Sequence, residues 1–209
     1  MNALRILDIS QPLGERTAVW PGDQPCRITW TMARTAGAAV NVAALTMSAH
    51  TGTHTDGPFH CDDVGARPAS LGLEAFIGPA AVVDARGRRA LDTDVIEHVD
   101  LAVAERLLFR TRERTDTTTF PHIFAPLTPA LARRLVEAGV KLVGTDAPSV
   151  DPFDSKTMDV HRILGDHGIA IVENLVLDAV TPGRYTLIAL PLKLVEADSS
   201  PVRAVLLPA

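Results

Sequence analysis

Apolar residues in this chain form short stretches separated by turn-forming residues, and this pattern predicts more strands than helices. The segment 40–47 is apolar enough to predict a strand buried in the core. The segment 105–111 fits a helix or a strand, and its approach to a polar loop favours a strand. The predicted strands cover residues 5–9, 26–32, 40–47, 79–84, 105–111, 140–145, 169–175, 185–190 and 202–207.

Helical periodicity is restricted to three segments. Thr128 is a typical capping residue for a helix that Gly139 would end. A second helix is predicted for residues 156–165 and a shorter one for residues 93–99. Because helix and strand alternate in only part of the chain, we predict a mixed-sheet α/β fold in a single domain, residues 1–209.

Composition argues against several classes of protein. The chain has 209 residues with a net charge of −5, and only 4% of them are aromatic. It has no run of Lys and Arg and few stacking platforms, so nucleic-acid binding is not expected. No apolar stretch approaches the roughly 20 residues that cross a bilayer, so no membrane partner is expected. Cys26 and Cys61 form no CxxC pair, which favours reduced thiols and a cytoplasmic location.

The eleven residues from His50 to His60 carry the clearest sign of chemistry. His50, His54, Asp56 and His60 are ligand types that suit zinc or a similar divalent ion. The glycines and the proline among them disfavour a helix. In a straight strand, residues four apart lie roughly 13 Å from each other, which is too far to share an ion. The chain must therefore bend between His50 and His54, where Gly52 permits it, and we interpret the segment as a metal-binding loop that leaves a strand.

A carboxylate in an apolar strand predicts the second part of this site. Glu173 follows the apolar segment 169–172, where a buried charge is costly unless a cation or several donors meet it. An arginine partner would meet this need, but a metal fits better because the loop alone lacks enough ligands for two ions. His161 on the second predicted helix and His167 just after it are both candidate ligands, and residue spacing does not choose between them.

The loop also resembles a family signature. Residues 50–60 match the pattern His-x-Gly-Thr-His-x-Asp-x-Pro-x-His of the cyclase family of metal-dependent hydrolases at every fixed position. The sequence Glu-Asn-Leu at 173–175 is similar to the family's second metal-binding segment. The sequence Trp-Pro-Gly-Asp at 20–23 is similar to a segment of its kynurenine formamidase branch. The resemblance extends over nearly the whole chain and implies a swivelling β/β/α fold and a homodimer.

The resemblance also implies roles for individual residues. A His-x-x-Leu segment at 161–164 favours His161 over His167. Asp56 and Glu173 would bridge two ions, with a single ion as the alternative. Zinc is expected, and manganese is the alternative metal. His60 would then be a non-ligand base. The implied metal ligands are His50, His54, Asp56, His161 and Glu173.

Trp20 lies between loop-forming residues, a position that favours a pocket wall over the core and therefore an aryl substrate. Together with the resemblance, this predicts hydrolysis of a small molecule, N-formyl-L-kynurenine, to L-kynurenine and formate by a metal-activated water, with His60 transferring the proton. One alternative is a cyclic-amide hydrolase of the isatin hydrolase type, which needs no partner for an α-amino acid group. The other is a non-catalytic metal-binding protein with a closed coordination shell.

Overall fold

The computed structural model describes residues 5–209, in which eleven strands and two α-helices are joined by loops and short 3-10 turns. The strands are β1 (Leu7–Asp8), β2 (Arg27–Met32), β3 (Val42–Thr46), β4 (His54–Asp56), β5 (Ile77–Asp84), β6 (Arg106–Arg110), β7 (Leu142–Thr145), β8 (Ala170–Glu173), β9 (Gly183–Ile188), β10 (Ser199–Pro201) and β11 (Val205–Pro208). The helices are α1 (Pro129–Glu137) and α2 (Asp159–Asp166). Every predicted strand segment overlaps one of these strands, whereas β4 and β10 lie where the sequence predicts none.

Nine of the strands form one mixed sheet, in the order β1-β11-β9-β5-β6-β7-β8-β4-β10. Strands β5, β6, β7 and β8 pair in parallel, and the flanking strands pair antiparallel. Helix α1 connects β6 to β7 and helix α2 connects β7 to β8, as parallel neighbours require crossover connections. The predicted mixed-sheet α/β fold is confirmed.

Apolar side chains cover both faces of the parallel strands. Successive residues of a strand point to opposite faces, so alternate residues of each strand belong to different core clusters. On the face covered by α1 and α2 the cluster includes Ala81, Val83, Leu107, Phe109, Leu131, Leu135, Val143, Val160, Leu164 and Ile171. On the opposite face the cluster includes Ala80, Val82, Leu108, Leu142, Val172, Leu187 and Leu206.

Helix α1 begins and ends close to its predicted limits, whereas the other two predicted helices differ from the structure. The Thr128 hydroxyl accepts a hydrogen bond from the backbone N–H of Leu131 at 3.1 Å, and Gly139 follows α1 with φ of 69°. Helix α2 begins at Asp159, later than predicted, and the predicted helix at 93–99 is a short 3-10 turn. Within residues 5–209, no helix is long and apolar enough to cross a membrane.

Strands β2 and β3 form a separate two-stranded sheet, and the prediction that segment 40–47 is buried is wrong. The register pairs Ile28 with Leu45 and Trp30 with Ala43, so these side chains share one face. Trp30 is 64% exposed and Leu45 54%. Apolar content identified the strand but not its burial, because the rest of the described chain leaves this face uncovered.

Candidate metal centre

The loop after β3 bends where its sequence predicts and then enters a strand. Gly52 has φ of +67°, and a Cβ at this position would lie 2.6 Å from Leu13 Cδ2, so the bend favours glycine. The interpretation of the whole segment as a loop is corrected, because residues 54–56 form β4. Strand β4 pairs with β8 in a register that sets His54 opposite Glu173. Residues two apart in a strand share a face, so Asp56 points to the same side as these two residues.

Helix α2 places His161 against this face of the sheet. Its Nε2 atom lies 3.3 Å from Asp56 Oδ2 and 3.3 Å from Glu173 Oε1. All three side chains are buried, and one ligand atom of each lies within 4.8 Å of the others. His167, the other candidate, is exposed, and its Nδ1 lies 2.8 Å from the carbonyl oxygen of Ile163. The fold therefore brings His161, and not His167, to the carboxylates.

A second group of ligand atoms combines His50, His54 and Asp56. His50 Nδ1 lies 3.0 Å and His54 Nε2 3.5 Å from Asp56 Oδ1. His54 Nε2 also lies 3.5 Å from Glu173 Oε2, which connects the two groups. The five residues that the sequence predicts as ligands form one continuous cluster of imidazoles and carboxylates.

Several buried atoms of this cluster have no hydrogen-bond partner among residues 5–209, namely His54 Nε2 and both carboxylate oxygens of Asp56. His54 Nδ1 lies 2.9 Å from the carbonyl oxygen of Gly52, so the Nδ1–H donates there. In the neutral ring this leaves Nε2 as an acceptor that faces the carboxylates. Buried acceptors that face each other are costly unless a cation lies between them. Imidazole nitrogens with carboxylate oxygens therefore fit a divalent metal ion.

The electrostatics of the cluster also favour positive charge between the carboxylates. Burial would raise the pKa of Asp56, but the close imidazoles of His161 and His50 hold it well below its usual value. Burial would lower the pKa of His161, but Asp151, Asp56 and Glu173 raise it well above the usual value. The carboxylates are thus held in the ionised form that metal binding requires.

Asp151 supports His161 from the side away from the cluster. Its Oδ2 atom lies 2.7 Å from His161 Nδ1 and accepts a hydrogen bond from the His161 backbone N–H at 3.0 Å. Its Oδ1 atom accepts from the backbone N–H of Val160 at 3.1 Å. Carboxylates in this position orient metal-binding histidines, and here the contact directs Nε2 towards Asp56 and Glu173. Sequence analysis missed Asp151, which carries no spacing signal.

Asp198 is a second functional candidate that sequence analysis missed. Its Oδ2 atom lies 2.9 Å from His50 Nε2 and 3.3 Å from His60 Nδ1. Hydrogen bonds with His50 and His60 lower the pKa of Asp198. The residue directly precedes β10, and the pairing of β10 with β4 brings it to the cluster. A pattern of hydropathy does not reveal this short polar strand.

His60 lies beside the cluster rather than inside it. Its ring centroid is 4.4 Å from that of His50 and 5.8 Å from that of His161. With His50 and Asp198 it forms a third group whose ligand atoms lie within 4.8 Å. His60 is exposed and lines a cavity, so it is accessible to a small molecule.

The cluster opens into this cavity, whose volume is about 320 Å³. His54 and Glu173 lie in its wall, and so does Trp20. The Trp20 ring stacks against Phe153 and meets Phe120 edge to face, each with a centroid separation of 5.1 Å. Trp20 is half-buried within this aromatic group. One wall of the cavity therefore suits an aromatic ring and another suits a metal.

Known proteins resemble this chain along its length. The family described as "Putative cyclase" matches residues 7–152. Two proteins called kynurenine formamidase, from Bacillus mycoides (strain KBAB4) and Bacillus cereus (strain ATCC 14579), are 44% and 45% identical over 208 residues, with 100% of both chains covered.

Solved structures show the same fold. A predicted metal-dependent hydrolase from Bacillus stearothermophilus is 28% identical, with a TM-score of 0.81 over 98% of both chains. Isatin hydrolase A from Labrenzia aggregata, bound to benzyl benzoate, is 26% identical, with a TM-score of 0.82 over 98% of this chain and 94% of that one.

Proposed function

This chain belongs to the cyclase family, and from that premise we propose that it is a metal-dependent arylformamidase that hydrolyses N-formyl-L-kynurenine to L-kynurenine and formate. The observation that carries the proposal is the buried cluster of His54, Asp56 and Glu173, in which His54 Nε2 and both Asp56 carboxylate oxygens lack hydrogen-bond partners. His54 and Glu173 line the adjoining aromatic-walled cavity. The relatives called kynurenine formamidase, which match the full length of this chain, support the choice of substrate.

The proposal assigns two metal ions to the cluster. His50, His54 and Asp56 would hold the first ion. Asp56 and Glu173 would bridge, and His161 would complete the second. The two groups of ligand atoms that share Asp56 support this assignment. Mixed imidazole and carboxylate ligands suit zinc, with manganese as the alternative.

Bound divalent ions supply a Lewis acid and lower the pKa of water towards 7. His60 is the proposed proton-transfer group, because it lines the cavity and is not among the assigned ligands. Asp198 lies 3.3 Å from His60 Nδ1 and would orient the ring, which leaves Nε2 for the substrate. His60 would deliver a proton to the aniline nitrogen as the C–N bond breaks, since an anilide anion is a poor leaving group.

Trp20 is the proposed platform for the substrate's aryl ring. Its stacking with Phe153 and its edge contact with Phe120 hold the indole in the cavity wall. The formamide would then lie towards His54 and Glu173 in the same cavity.

Hydrolysis assays on N-formyl-L-kynurenine and isatin test this function, with protein before and after chelation and with its metal content measured. We expect hydrolysis of the formamide, about two ions per chain, and loss of activity on chelation that added zinc reverses. Preferential hydrolysis of isatin would support the cyclic-amide alternative. Metal-loaded protein that hydrolyses neither compound would support the non-catalytic one.

A homodimer and a cytoplasmic location complete the proposal. The exposed apolar face of β2 and β3, which includes Trp30 and Leu45, supplies a surface that a second copy could cover. Light scattering coupled to size-exclusion chromatography should give the mass of two chains, and a monomer at micromolar concentration would contradict this part.

A further inference from the structure

Arg112 has an unusual environment for a half-buried arginine. It follows β6 and lines the same cavity as His54 and Trp20. Its Nη2 atom is buried without a hydrogen-bond partner, and no side-chain hydrogen bond or ion pair links the guanidinium to any residue in the range 5–209. Arg106, by contrast, is also buried but donates to the carbonyl oxygens of Ala75 and Pro79. A guanidinium that is removed from water without acceptors is costly, so this position favours an anionic ligand.

Two carboxylates anchor the chain segment that presents Arg112. Asp146 accepts hydrogen bonds from the backbone N–H groups of Thr111 at 2.9 Å and Arg112 at 3.1 Å. Asp178 accepts from the backbone N–H of Thr115 at 2.9 Å and from its hydroxyl at 2.7 Å. These carboxylates therefore bind the backbone and hydroxyl groups of the segment and make no ion pair with the guanidinium. The segment is held on both sides of Arg112, and Arg112 itself lines the cavity with no ion-pair partner among the described residues.

The guanidinium of Arg112 stays protonated in this environment. Burial lowers the pKa of the guanidinium, and the nearby charges of Asp146 and Asp178 raise it. A guanidinium remains protonated at any pH at which the protein folds. The cavity thus combines a metal cluster, an aromatic wall and a fixed cation.

We propose that Arg112 binds the α-carboxylate of the substrate and so selects an aryl formamide that carries an amino acid group. The inference rests on the proposed function, which places the formamide at the metal cluster and the aryl ring at Trp20. Arg112 then supplies the third point of contact, and a planar guanidinium suits a carboxylate through two parallel hydrogen bonds. Asp116 also lines the cavity and offers a negative charge to the α-ammonium group. Isatin has neither charge, so the pair favours the formylated amino acid over a cyclic amide.

Steady-state kinetics on two substrates that differ only in the carboxylate test the assignment. N-formyl-L-kynurenine carries it, and N-formylkynurenamine keeps the aryl formamide, the ketone and the ammonium group but lacks it. For the metal-loaded Arg112→Met variant, we expect kcat/KM for N-formyl-L-kynurenine to fall roughly 10–100-fold, because a hydrogen bond to a charged group is lost. The value for N-formylkynurenamine should stay at the wild-type level. The kcat/KM of Arg112→Lys for N-formyl-L-kynurenine should lie between those of the wild type and Arg112→Met, because lysine keeps the charge but not the paired donors.

Arg114→Met is the matched control, because Arg114 is exposed on the same segment and does not line the cavity. It should keep the wild-type ratio of the two kcat/KM values. Equal losses on both substrates in Arg112→Met would overturn the inference, since they would indicate a general structural role. A wild-type enzyme that hydrolyses both substrates equally well would also overturn it, even if Arg112→Met failed to fold.

Failure of the proposed function gives a different result, in which the wild type hydrolyses neither formamide. Calorimetric titration with L-kynurenine then decides about Arg112 separately. Binding to the wild type that Arg112→Met weakens at least tenfold would support the carboxylate site. Equal binding by wild type and variant, or no binding to the wild type, would exclude it.

Discussion

Replacing Asp151 with asparagine should weaken the binding of one metal ion while the fold is kept. The Oδ2 atom of Asp151 contacts both His161 Nδ1, at 2.7 Å, and the His161 backbone N–H, at 3.0 Å. Its Oδ1 atom accepts from the Val160 N–H at 3.1 Å. An asparagine offers one carbonyl oxygen and an NH2 group that cannot accept, so at least one of these contacts is lost.

The magnitude follows from what the lost contact does. If the carbonyl oxygen takes the place of Oδ1 and stays with the Val160 N–H, the His161 ring loses the partner that directs Nε2 towards Asp56 and Glu173. Loss of such a partner typically lowers metal affinity by about 10–100-fold, which corresponds to about 1.4–2.8 kcal/mol. Asp151→Ala also removes the acceptor for Val160 at the start of the helix, which should cost a further 0.5–2 kcal/mol, approximately, in stability.

The assay is a competitive titration of zinc against a chromophoric chelator, combined with a thermal melt of the metal-free protein. Asp154→Asn is the control, because Asp154 is exposed and its replacement causes the same change in charge. We expect one of two ions to bind more weakly in Asp151→Asn and both to bind normally in Asp154→Asn. Wild-type affinity for both ions in Asp151→Asn and Asp151→Ala would refute the role of Asp151 in orienting His161.

Three further predictions concern single side chains. His60→Ala should keep its metal content while kcat falls by roughly 10²–10⁴, and a lost ion would show that His60 is a ligand instead. Trp20→Ala should raise the barrier in kcat/KM by an amount on the order of 1–3 kcal/mol with little change in the melting temperature; strong destabilisation with normal kinetics would assign Trp20 to the core. In the metal-free protein, burial lowers the pKa of His50 but Asp198 and Asp56 raise it to about 10, above its ordinary 6.5. Stability from protonated His50 is then fully present below pH 6.5 and lost as the pH rises through about 10, so melting temperatures of chelated protein should fall over this range and His50→Asn should flatten the profile.

Local chemistry explains why part of the candidate site was predictable. Ligand-type side chains within eleven residues, with Gly52 between the first two histidines, already require a bend, and the structure shows φ of +67° there. Glu173 in an apolar strand signals a cation on general grounds, because an unpaired buried charge is unfavourable. The helix after Thr128 follows from its cap and its end. Each of these inferences depends on residues close together in sequence.

Residues that reach the site from distant parts of the chain could not be predicted in this way. Asp151, Asp198 and Arg112 carry no motif, and they reach the site through a turn before α2, the pairing of β10 with β4, and a segment anchored after β6. The exposure of segment 40–47 also depends on the rest of the fold. Its apolar residues predicted a strand correctly but did not predict that the strand is exposed.

The sequence by itself determined the kinds of ligand, the bend that gathers them and the mixed α/β class, because these follow from side-chain chemistry and hydrophobic periodicity within short segments. Only the tertiary structure decided that His161 rather than His167 meets the carboxylates, and that Asp151, Asp198 and Arg112 support the site or its cavity. Strand register and helix docking set these contacts. Both depend on packing between segments that lie far apart along the chain, and a local pattern of residues does not encode it.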